Sequence, residues 1–561
     1  MKKILILSGL LIVFITNAQV PIIEWSKTSS FDFTNDILST YYTQESITDI
    51  SGNVYSVGAF SNTIDFDRGP NVSSLTATPN SNNGFISKHD PDGNFLWVKQ
   101  FVGNSVDCRN ISLDSAGNIY ATGLGKSVDL DPGIGTVILN NSLDYTQGYV
   151  VKLNNNGDFV WGKIIECDNQ LFTDYLEVDS SNNVFIAGGF QGTADFDTSN
   201  ATVNKTSFGI TDLFVLKLDS NGSFIWVYNA GSAENESFSG LKLDNLGNVF
   251  VTGRFATSFD FDPSPITTIL TSNGGNDAFV LKLDQNGNLI WTKTISGALN
   301  ENINRIVLDS NSNILLLGQF RGTVNFNNST AITSNGDSDI FINKITNNGD
   351  FVWVKTFGGI LSDSPNSIVL DNANNIIVNG AFTSSFDADP SANNFTITPN
   401  TSAVYGDCYI LKLDADGNFN WIGAYEQTVS GRLTYRNGSL YLDGGIYGTG
   451  DLDFIGLTNT FSVGEYGGTV LVKYNMPALS DANFDFSDNL KVYPNPTSGN
   501  FNIEISQESI GAKVSVYNIL GQNIKEFQLD GLTTNQNLGK GMYVIEIEKD
   551  GDKTSRKLIV N

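Results

Sequence analysis

Paired aspartates are the residues of this chain whose type and spacing are best suited to chemistry. One residue separates the members of each pair, and the pairs are Asp65 and Asp67, Asp129 and Asp131, Asp195 and Asp197, Asp260 and Asp262, Asp387 and Asp389, and Asp451 and Asp453. Alternate residues of an extended segment point the same way, and Ca²⁺ prefers carboxylate oxygens, so each pair is a candidate calcium site. The alternative is that each Asp caps a turn by accepting backbone N–H groups, which the recurrence of the motif favours. If the pairs bind a metal ion, Ca²⁺ is the candidate cofactor that the sequence indicates.

The sequence contains few residues that could form other classes of functional site. The chain of 561 residues has one histidine, His89, and we expect it at a strand end on the surface rather than in a catalytic or haem site. Three cysteines without a CxxC motif predict neither a disulfide framework nor a metal site. A formal charge of −27, from 59 acidic and 32 basic residues, disfavours nucleic acid as a partner.

Tryptophan spacing shows which elements position the aspartates. The seven tryptophans lie at 25, 97, 161, 226, 291, 353 and 421, at intervals of 62 to 72 residues. Each interval contains short alternating strands separated by Asn-Gly turns, followed by a tryptophan strand such as Leu289-Ile290-Trp291. Four main strands per repeat indicate the blade of a β-propeller. We expect the tryptophans to pack between blades, with a sugar-binding aromatic ring as the alternative.

The count of strands predicts an all-β, seven-bladed β-propeller over residues 19–475. Its last repeat ends at Thr469–Tyr474 without a tryptophan strand, whereas Ile22–Lys27 resembles such a strand without the rest of a repeat. We therefore expect the N-terminal strand to complete the last blade and to close the ring, which protects the sheet edges.

The two ends of the chain read as targeting segments. Residues 1–18 have a basic start and a short apolar run, which predicts a signal peptide cleaved between Ala18 and Gln19. No later segment has the length of a membrane span. A linker at 476–489 leads to residues 490–561, whose alternating strands predict a small C-terminal β-sandwich. Its recurrent motif residues are Tyr493, Pro494, Asn495, Pro496, Gly541, Tyr543 and Lys557.

The C-terminal motifs resemble the type A C-terminal sorting domain of the Bacteroidota type IX secretion system. Tyr-Pro-Asn-Pro-Thr, Val-Tyr-Asn-Ile-Leu-Gly-Gln, Gly-Met-Tyr-Val and a terminal Lys-Leu-Ile-Val appear in order. The resemblance implies export to the cell surface or medium, with the secretion machinery as a partner. The repeats, with Asp-Phe-Asp, Phe-Val-Leu-Lys-Leu-Asp and Gly-Asn-Phe-x-Trp, resemble the SBBP family of seven-bladed propellers. That family implies a fold rather than an activity.

By elimination, the sequence favours a non-catalytic binding or adhesion module with a glycan or protein ligand. The rivals are a secreted glycan-active enzyme that uses carboxylates and a structural component of the surface. A catalytic or binding site requires unique residues that converge on one face, whereas nearly every acidic residue here belongs to a repeat. The sequence does not distinguish one face of the ring as the binding face.

Overall fold

The computed structural model consists of two compact units, residues 1–476 and 477–561. It describes residues 21–30, 41–139, 145–199, 201–327, 330–391, 393–399, 406–425, 430–446, 449–452, 460–462, 467–476, 491–495, 497–505, 510–518, 522–549 and 552–560. All regular elements in these ranges are β-strands. The all-β expectation is therefore confirmed.

The strands of the first unit are mostly seven to nine residues long, with shorter strands in the loops. In chain order they are β1 (Ile22–Ser30), β2 (Tyr41–Thr48), β3 (Val54–Phe60), β4 (Thr63–Asp65), β5 (Ser74–Thr76), β6 (Asn83–His89), β7 (Phe95–Leu113), β8 (Ile119–Asp129), β9 (Ile138–Leu139), β10 (Gln147–Leu153), β11 (Phe159–Cys167), β12 (Leu171–Val178), β13 (Val184–Phe190), β14 (Thr193–Asp195), β15 (Asn204–Thr206), β16 (Asp212–Leu218), β17 (Phe224–Ala230), β18 (Ser237–Leu243), β19 (Val249–Phe255), β20 (Ser258–Asp260), β21 (Ile269–Thr271), β22 (Asp277–Leu283), β23 (Leu289–Gly297), β24 (Asn302–Leu308), β25 (Ile314–Phe320), β26 (Thr323–Asn327), β27 (Thr330–Thr333), β28 (Asp339–Ile345), β29 (Phe351–Phe357), β30 (Ser364–Leu370), β31 (Ile376–Phe382), β32 (Phe386–Asp387), β33 (Thr396–Ile397), β34 (Asp407–Leu413), β35 (Phe419–Tyr425), β36 (Ser430–Arg436), β37 (Ser439–Ile446), β38 (Thr449–Asp451), β39 (Thr460–Ser462) and β40 (Gly468–Asn475).

Antiparallel pairing groups these strands into seven four-stranded blades. From the innermost strand outward they are β2-β3-β6-β7, β7-β8-β10-β11, β12-β13-β16-β17, β18-β19-β22-β23, β24-β25-β28-β29, β30-β31-β34-β35 and β36-β37-β40-β1. The long strand β7 belongs to the first two blades. In the seventh blade, Ile22 to Ser30 pair with Asn475 to Gly468, so the outermost strand comes from the other end of the unit.

The innermost strands form a ring. Each contacts the innermost strand of the next blade, and β36 of the seventh blade contacts β2 of the first. Arg432 on β36 donates from Nε to the backbone oxygen of Gln44 on β2, at 2.6 Å. These strands surround a central channel, which is the architecture of a β-propeller.

The turn after six of the seven innermost strands is built by one Asp and one Asn. Asp114 accepts the N–H groups of Ala116 at 3.0 Å and Asn118 at 2.9 Å with the same carboxylate oxygen. Gly117 has a φ of +78°, which a residue without a Cβ adopts at little cost. The Asn118 side chain donates to the other Asp114 oxygen at 2.8 Å. This arrangement explains why Asp and Asn recur in the sequence.

The hydrophobic core lies between adjacent blades. One cluster joins Phe185 and Val215 of the third blade to Val251 and Phe279 of the fourth, all with no exposed surface. Each sheet interior is therefore apolar on both faces, and the strands read as continuous hydrophobic runs.

The second unit contains two sheets around a separate core. Its strands are β41 (Lys491–Tyr493), β42 (Asn500–Glu504), β43 (Lys513–Asn518), β44 (Asn523–Gln528), β45 (Thr533–Asn537), β46 (Gly541–Lys549) and β47 (Asp552–Val560). They form the sheets β41-β42-β45 and β44-β43-β46-β47. Phe501 and Ile503 of one sheet and Val514 and Ile545 of the other are buried in one cluster, as in a sandwich.

Candidate functional site

A β-bulge recurs at the same place in six of the seven innermost strands. The strand register shifts by one residue there, so that one residue has no opposite partner; these residues are Gln44, Arg109, Asp174, Ser239, Asn304 and Asn366. The seventh innermost strand, β36, pairs with β37 without a shift. A bulge turns a side chain away from the ordinary alternation of a strand. All six bulged residues are polar, and they lie at one level of the channel.

The residue after each bulge, with its equivalent on β36, lines the channel, and these seven positions carry six different residue types. Counted along the ring, these residues are Glu45, Asn110, Tyr175, Gly240, Arg305, Ser367 and, on β36, Arg432. A cavity of about 380 Å³ opens at this level, lined by Gln44, Glu45, Arg109, Asn110, Asp174, Tyr175, Phe238, Arg305 and Arg432. We call this cavity the channel mouth. The blades repeat elsewhere, but here the sevenfold pattern is broken.

Arg109 joins two blades at the channel mouth. Its Nε donates to an Asp107 oxygen at 3.2 Å, and its Nη1 bonds to Asp174 on the next innermost strand. Gln44 also donates to Asp107, at 3.3 Å. Burial raises the pKa of Asp107, and the Arg109 charge offsets only part of that effect. Three adjacent blades are thus linked through one guanidinium and one amide.

Arg432 and Arg305 are held by neutral groups. Arg432 donates from Nη1 to the backbone oxygen of Asn366 at 3.0 Å and to its side-chain oxygen at 2.6 Å. Arg305 donates from Nη1 to the Asn304 backbone oxygen at 2.8 Å. Burial and the neighbouring Arg305 charge lower the pKa of Arg432 to about 10, so it is still protonated at neutral pH. Both side chains are half-buried.

Deeper in the channel, Lys242 and Glu177 form an ion pair between adjacent innermost strands. Burial opposes the charge of Lys242, but Glu177 raises its pKa above the usual value. The same stretch of channel, a cavity of about 360 Å³, is otherwise lined by residues such as Ile306, Ile368 and Leu433. Below its charged mouth the channel is therefore lined by apolar and polar residues in similar numbers.

The predicted aspartate pairs lie in the loops between the second and third strands of the blades. Asp195 accepts the N–H groups of Asp197 at 3.0 Å and Val203 at 2.8 Å with one oxygen, and Asp197 accepts the N–H of Ser199 at 2.9 Å. The first Asp of four other pairs makes the same two bonds, at positions 65, 129, 260 and 387. Asp451 ends β38, and Asp453 lies outside the described residues.

This donor set fits a turn cap. Two N–H groups donate to the same oxygen of the first Asp, which is the bonding of an Asp that caps a turn. Among the described residues, no three His, Cys, Asp or Glu side chains are grouped so as to hold a metal ion. Calcium at these pairs stays a prediction, and its test is given in the Discussion.

The loops that carry the aspartate pairs lie on the same side of the ring as the channel mouth. Leu171 at the start of innermost strand β12 pairs with Phe190, and Phe190 pairs with Asp212. The chain leaves β13 at Phe190 and returns at Asp212, so the intervening loop sits beside the start of β12. The bulges also lie in the first half of the innermost strands. One face of the propeller therefore presents both features.

The tryptophans pack against the next blade. Trp226 donates from its indole nitrogen to the Gln285 backbone oxygen at 3.0 Å, and its ring lies against Gly287 in the same turn. Trp161 makes the equivalent bond to Ser220 at 3.2 Å. These contacts agree with the expectation of packing between blades.

His89 is not the surface residue that the sequence predicts. It is 1% exposed, and burial together with the Arg68 charge lowers its pKa to about 3. The position ends the third strand of the blade, and the corresponding residues Leu153 and Leu218 are core residues. The expectation was wrong because it was based on the polar residue type. The position in the repeat, which is a core position in other blades, would have predicted burial. The three cysteines are buried, and none of them forms a disulfide.

The sorting motif lies at the edge of the second unit. Tyr493 precedes Pro494 through a cis peptide bond, and its hydroxyl donates to Glu504 at 3.0 Å. The Tyr543 hydroxyl donates to the backbone oxygen of Gly539 at 2.9 Å. Asn495 and Gly541 are also described, and the Lys557 backbone belongs to β47. The signal cleavage residues Ala18 and Gln19, and Pro496, lie outside the described residues.

The channel mouth was not among the sites predicted from the sequence, although the repeats contain a signal for it. The turn aspartates mark a common reference in each repeat, at 49, 114, 179, 244, 309 and 371. Four residues before each of them stands a different residue, from Glu45 to Ser367. Repeats are recognised by positions at which the same residue type recurs. The channel mouth is formed at an equivalent position whose residue type changes from repeat to repeat.

Comparison with known families bears out the two resemblances. Residues 491–561 match the secretion system C-terminal sorting domain, and residues 96–131 match the SBBP beta-propeller repeat. The matched repeat runs from the tryptophan strand of the first blade to the Asp129 and Asp131 pair. In the part of the chain that the structure describes, no helix has the length and hydropathy of a membrane span.

Individual relatives are distant. The WD repeat-containing protein L264 of Acanthamoeba polyphaga mimivirus is 26% identical over 405 residues, which cover 60% of this chain and 29% of that protein. The regulatory protein FlaEY of Caulobacter vibrioides is 25% identical over 217 residues, 36% of this chain and 22% of that protein. The chain thus spans less than a third of the length of these curated relatives.

Among solved structures, the extracellular domain of the two-component system BT4673 from B. thetaiotaomicron matches with a TM-score of 0.21 and 11% identity, over 96% of this chain and 99% of that one. PorZ, a surface component of the type IX secretion system of Porphyromonas gingivalis, matches with a TM-score of 0.14 and 10% identity, over 94% and 100% of the two chains. At these scores the fold assignment rests on the strand pairing described above. The chain is a secreted or surface protein of the type IX secretion route, with SBBP-type β-propeller repeats and a secretion system C-terminal sorting domain.

Proposed function

We propose that the propeller is a non-catalytic binding module that recognises its ligand at the channel mouth. The observation that carries this proposal is the loss of sevenfold symmetry there. The seven equivalent positions carry six residue types, and five of these residues line a cavity of about 380 Å³, whereas turns, tryptophans and core positions repeat from blade to blade. Stability alone requires no such variety, and the cavity has the size of a small-ligand site.

The acidic groups of the mouth are arranged for binding rather than turnover. Arg109 engages both Asp107 and Asp174, which fixes their orientation. Glu45 accepts the N–H of Ser46 at 3.2 Å and balances the nearby arginines. Hydrolysis of a glycoside by carboxylates requires one acid and one base, both free to exchange protons across the substrate. The engagement of Asp107 and Asp174 by Arg109 favours binding over this chemistry.

A secreted glycan-active enzyme is the second candidate, and one observation favours it. Asp107 is 7% exposed, and its pKa is raised by burial, which is a property of a general acid. In that case Asp107 would donate the proton and Glu45 would be the base.

The full chain tests both candidates in one experiment. Binding to an array of bacterial and host glycans is measured beside the release of reducing ends from every glycan that binds. We expect binding without products, and we expect Tyr175→Ala to weaken binding while Tyr145→Ala, which removes an exposed loop tyrosine, does not. Release of products that Asp107→Asn abolishes would replace the binding module by the enzyme.

A further inference from the structure

Two arginines of the channel mouth have no carboxylate within ion-pair distance. Neither Arg305 nor Arg432 has an acidic oxygen within 4.0 Å among the described residues, in contrast to Arg109. Their recorded partners are backbone oxygens and the Asn366 amide oxygen. The chain has eight arginines, and three of them line this one cavity, so arginine is enriched there.

The channel mouth does not share the acidic excess of the rest of the propeller. The residues that line the cavity include three arginines and two acids, Glu45 and Asp174, and Asp107 is a third acid that pairs with Arg109 together with Asp174. The whole chain carries −27, and residues 490–561 contribute eight basic and eight acidic groups, so the excess of acid lies upstream. An acidic propeller that places two arginines without an ion-pair partner at one cavity provides a local site for an anion.

Arg305 and Arg432 line the same cavity. The Arg305 charge contributes to the lowered pKa of Arg432, and burial contributes more. An anion placed between them would offset both effects. Planar guanidinium forks bind carboxylate and sulfate through paired hydrogen bonds, which a lysine does not reproduce.

The remaining lining is that of a sugar site. Tyr175 and Phe238 contribute aromatic rings to the cavity wall. Asn110 uses its side-chain oxygen on the Leu176 N–H, at 3.3 Å, which leaves its amide NH₂ group for a ligand hydroxyl. Aromatic rings that pack on apolar faces, combined with amides that bind hydroxyl groups, suit a pyranose ring better than an extended acidic peptide.

We propose that the channel mouth binds an anionic sugar, with Arg305 and Arg432 holding its carboxylate or sulfate group. This inference rests on the binding function proposed above. The sugar ring lies against Tyr175, and its hydroxyl groups bond to neighbouring amides. Sugar carboxylate and sugar sulfate share the chemistry that these arginines recognise.

The test is calorimetric titration of the full chain with three probes of equal length. These are oligogalacturonate, its neutral methyl ester and a sulfated neutral oligosaccharide; the first and third separate carboxylate from sulfate. We expect one of the two anionic probes to bind at least 10-fold more tightly than the methyl ester. Loss of a charge-assisted hydrogen bond costs about 10- to 100-fold in affinity, so Arg305→Gln should weaken that probe by this amount.

Arg254→Gln is the matched control. Arg254 is exposed at the end of β19 and donates to Ser237 at 3.0 Å, so the variant removes the same charge outside the mouth. We expect less than a 2-fold change. Arg305→Lys should restore only part of the affinity, because lysine keeps the charge without the fork. Thermal unfolding of each variant checks that the fold is retained.

The outcomes separate the inference from the function on which it rests. Binding of the neutral ester as tightly as the anionic probes, or binding that Arg305→Gln leaves unchanged, overturns the anionic sugar while the binding module stands. Tighter binding of a poly-glutamate peptide at the same site overturns the sugar and retains the anion. A folded chain that binds none of these probes and no array glycan overturns both proposals.

Discussion

The Arg68 guanidinium lies 2.8 Å from the Asp443 carboxylate, and this ion pair joins the first blade to the seventh. Both side chains are buried, at 3% and 0% exposure. Arg68 also donates from Nε to Thr469 at 2.9 Å, and Asp443 accepts from Ser46 at 3.1 Å. The junction between the two ends of the ring therefore contains a polar network, in addition to apolar packing.

We expect Asp443→Asn to destabilise the propeller strongly. The change leaves the Arg68 charge buried without a counter-ion, which costs about 3–5 kcal/mol in the free energy of unfolding. Asp337→Asn is the control, because its partner Arg321 lies 2.5 Å away in an exposed pair and the cost there should be below about 1 kcal/mol. Denaturant unfolding measures both. Equal costs would mean that the buried pair does not hold the junction.

The role of β1 in ring closure stays a prediction that one tryptophan can test. The Trp25 ring lies against Gly93 of the first blade, and β1 pairs with β40 alone. Trp25→Ala and Trp291→Ala remove the same side chain and should each cost roughly 3 kcal/mol. Only Trp25→Ala should also release β1 and expose the β40 edge, since Trp291 lies in a blade of consecutive strands.

Limited proteolysis and sedimentation distinguish these two tryptophan variants. We expect early cleavage near the N-terminal strand and self-association for Trp25→Ala, and neither for Trp291→Ala. If the two variants behave alike, β1 is a passive edge strand and the ring is held by the innermost strands.

The aspartate pairs give a third prediction. Because one Asp260 oxygen accepts the N–H groups of Asp262 and Thr268, at 3.1 and 2.8 Å, Asp260→Ala should cost about 1–2 kcal/mol. Asp260→Asn retains an acceptor oxygen and should cost less. The midpoint of thermal unfolding should be the same with calcium and with excess chelator. A calcium-dependent rise of the midpoint that Asp260→Asn removes would establish a metal site instead.

Glu301 gives a prediction for pH. It has no exposed surface, accepts the Gly297 N–H at 2.9 Å, and has a pKa raised from 4.5 to about 7 by burial and by the Asp277 carboxyl. Between pH 4.5 and 7 the folded chain keeps a proton that the unfolded chain has lost. The contribution of Glu301 to stability therefore decreases as pH rises through this window and is constant above it.

The variant Glu301→Gln removes this titration. We expect its free energy of unfolding, relative to the wild type, to increase between pH 5 and pH 8 as measured by denaturant unfolding. Glu234→Gln, which changes an exposed residue of a neighbouring loop, is the control and should show no such trend. A difference that is independent of pH would mean that Glu301 has an ordinary pKa in the folded chain.

The sequence predicts the parts of this protein that repeat. Equivalents of Trp226 and Asp114 recur at intervals of 62 to 72 residues, because blade packing and the first turn have the same requirements in most blades. Tyr493 and the motifs that follow it identify the sorting domain, because each has a defined order. Both the spacing of the repeated residues and the order of the motifs can be read from the sequence alone.

The channel mouth required the structure. Arg305 and Arg432 are 127 residues apart, and only the closed ring places their charges near one another. Arg109 and Asp174 stand in unlike sequence contexts, and the bulge that turns both toward the channel leaves no mark on residue type. His89 shows the converse error, since its type indicated the surface and its place in the repeat indicated the core.

The repeated bulge makes the channel easy to diversify. A bulged residue takes no part in the regular pairing of its strand, so substitutions there leave the backbone ladder intact. Six such positions, from Gln44 to Asn366, recur in the innermost strands, and three of them, Gln44, Arg109 and Asp174, line the channel mouth beside residues that follow a bulge. New specificities can therefore arise by point changes on an unaltered scaffold. A library randomised at the bulged positions and at the residues that follow them would sample ligand preference while the strand pairing stays the same.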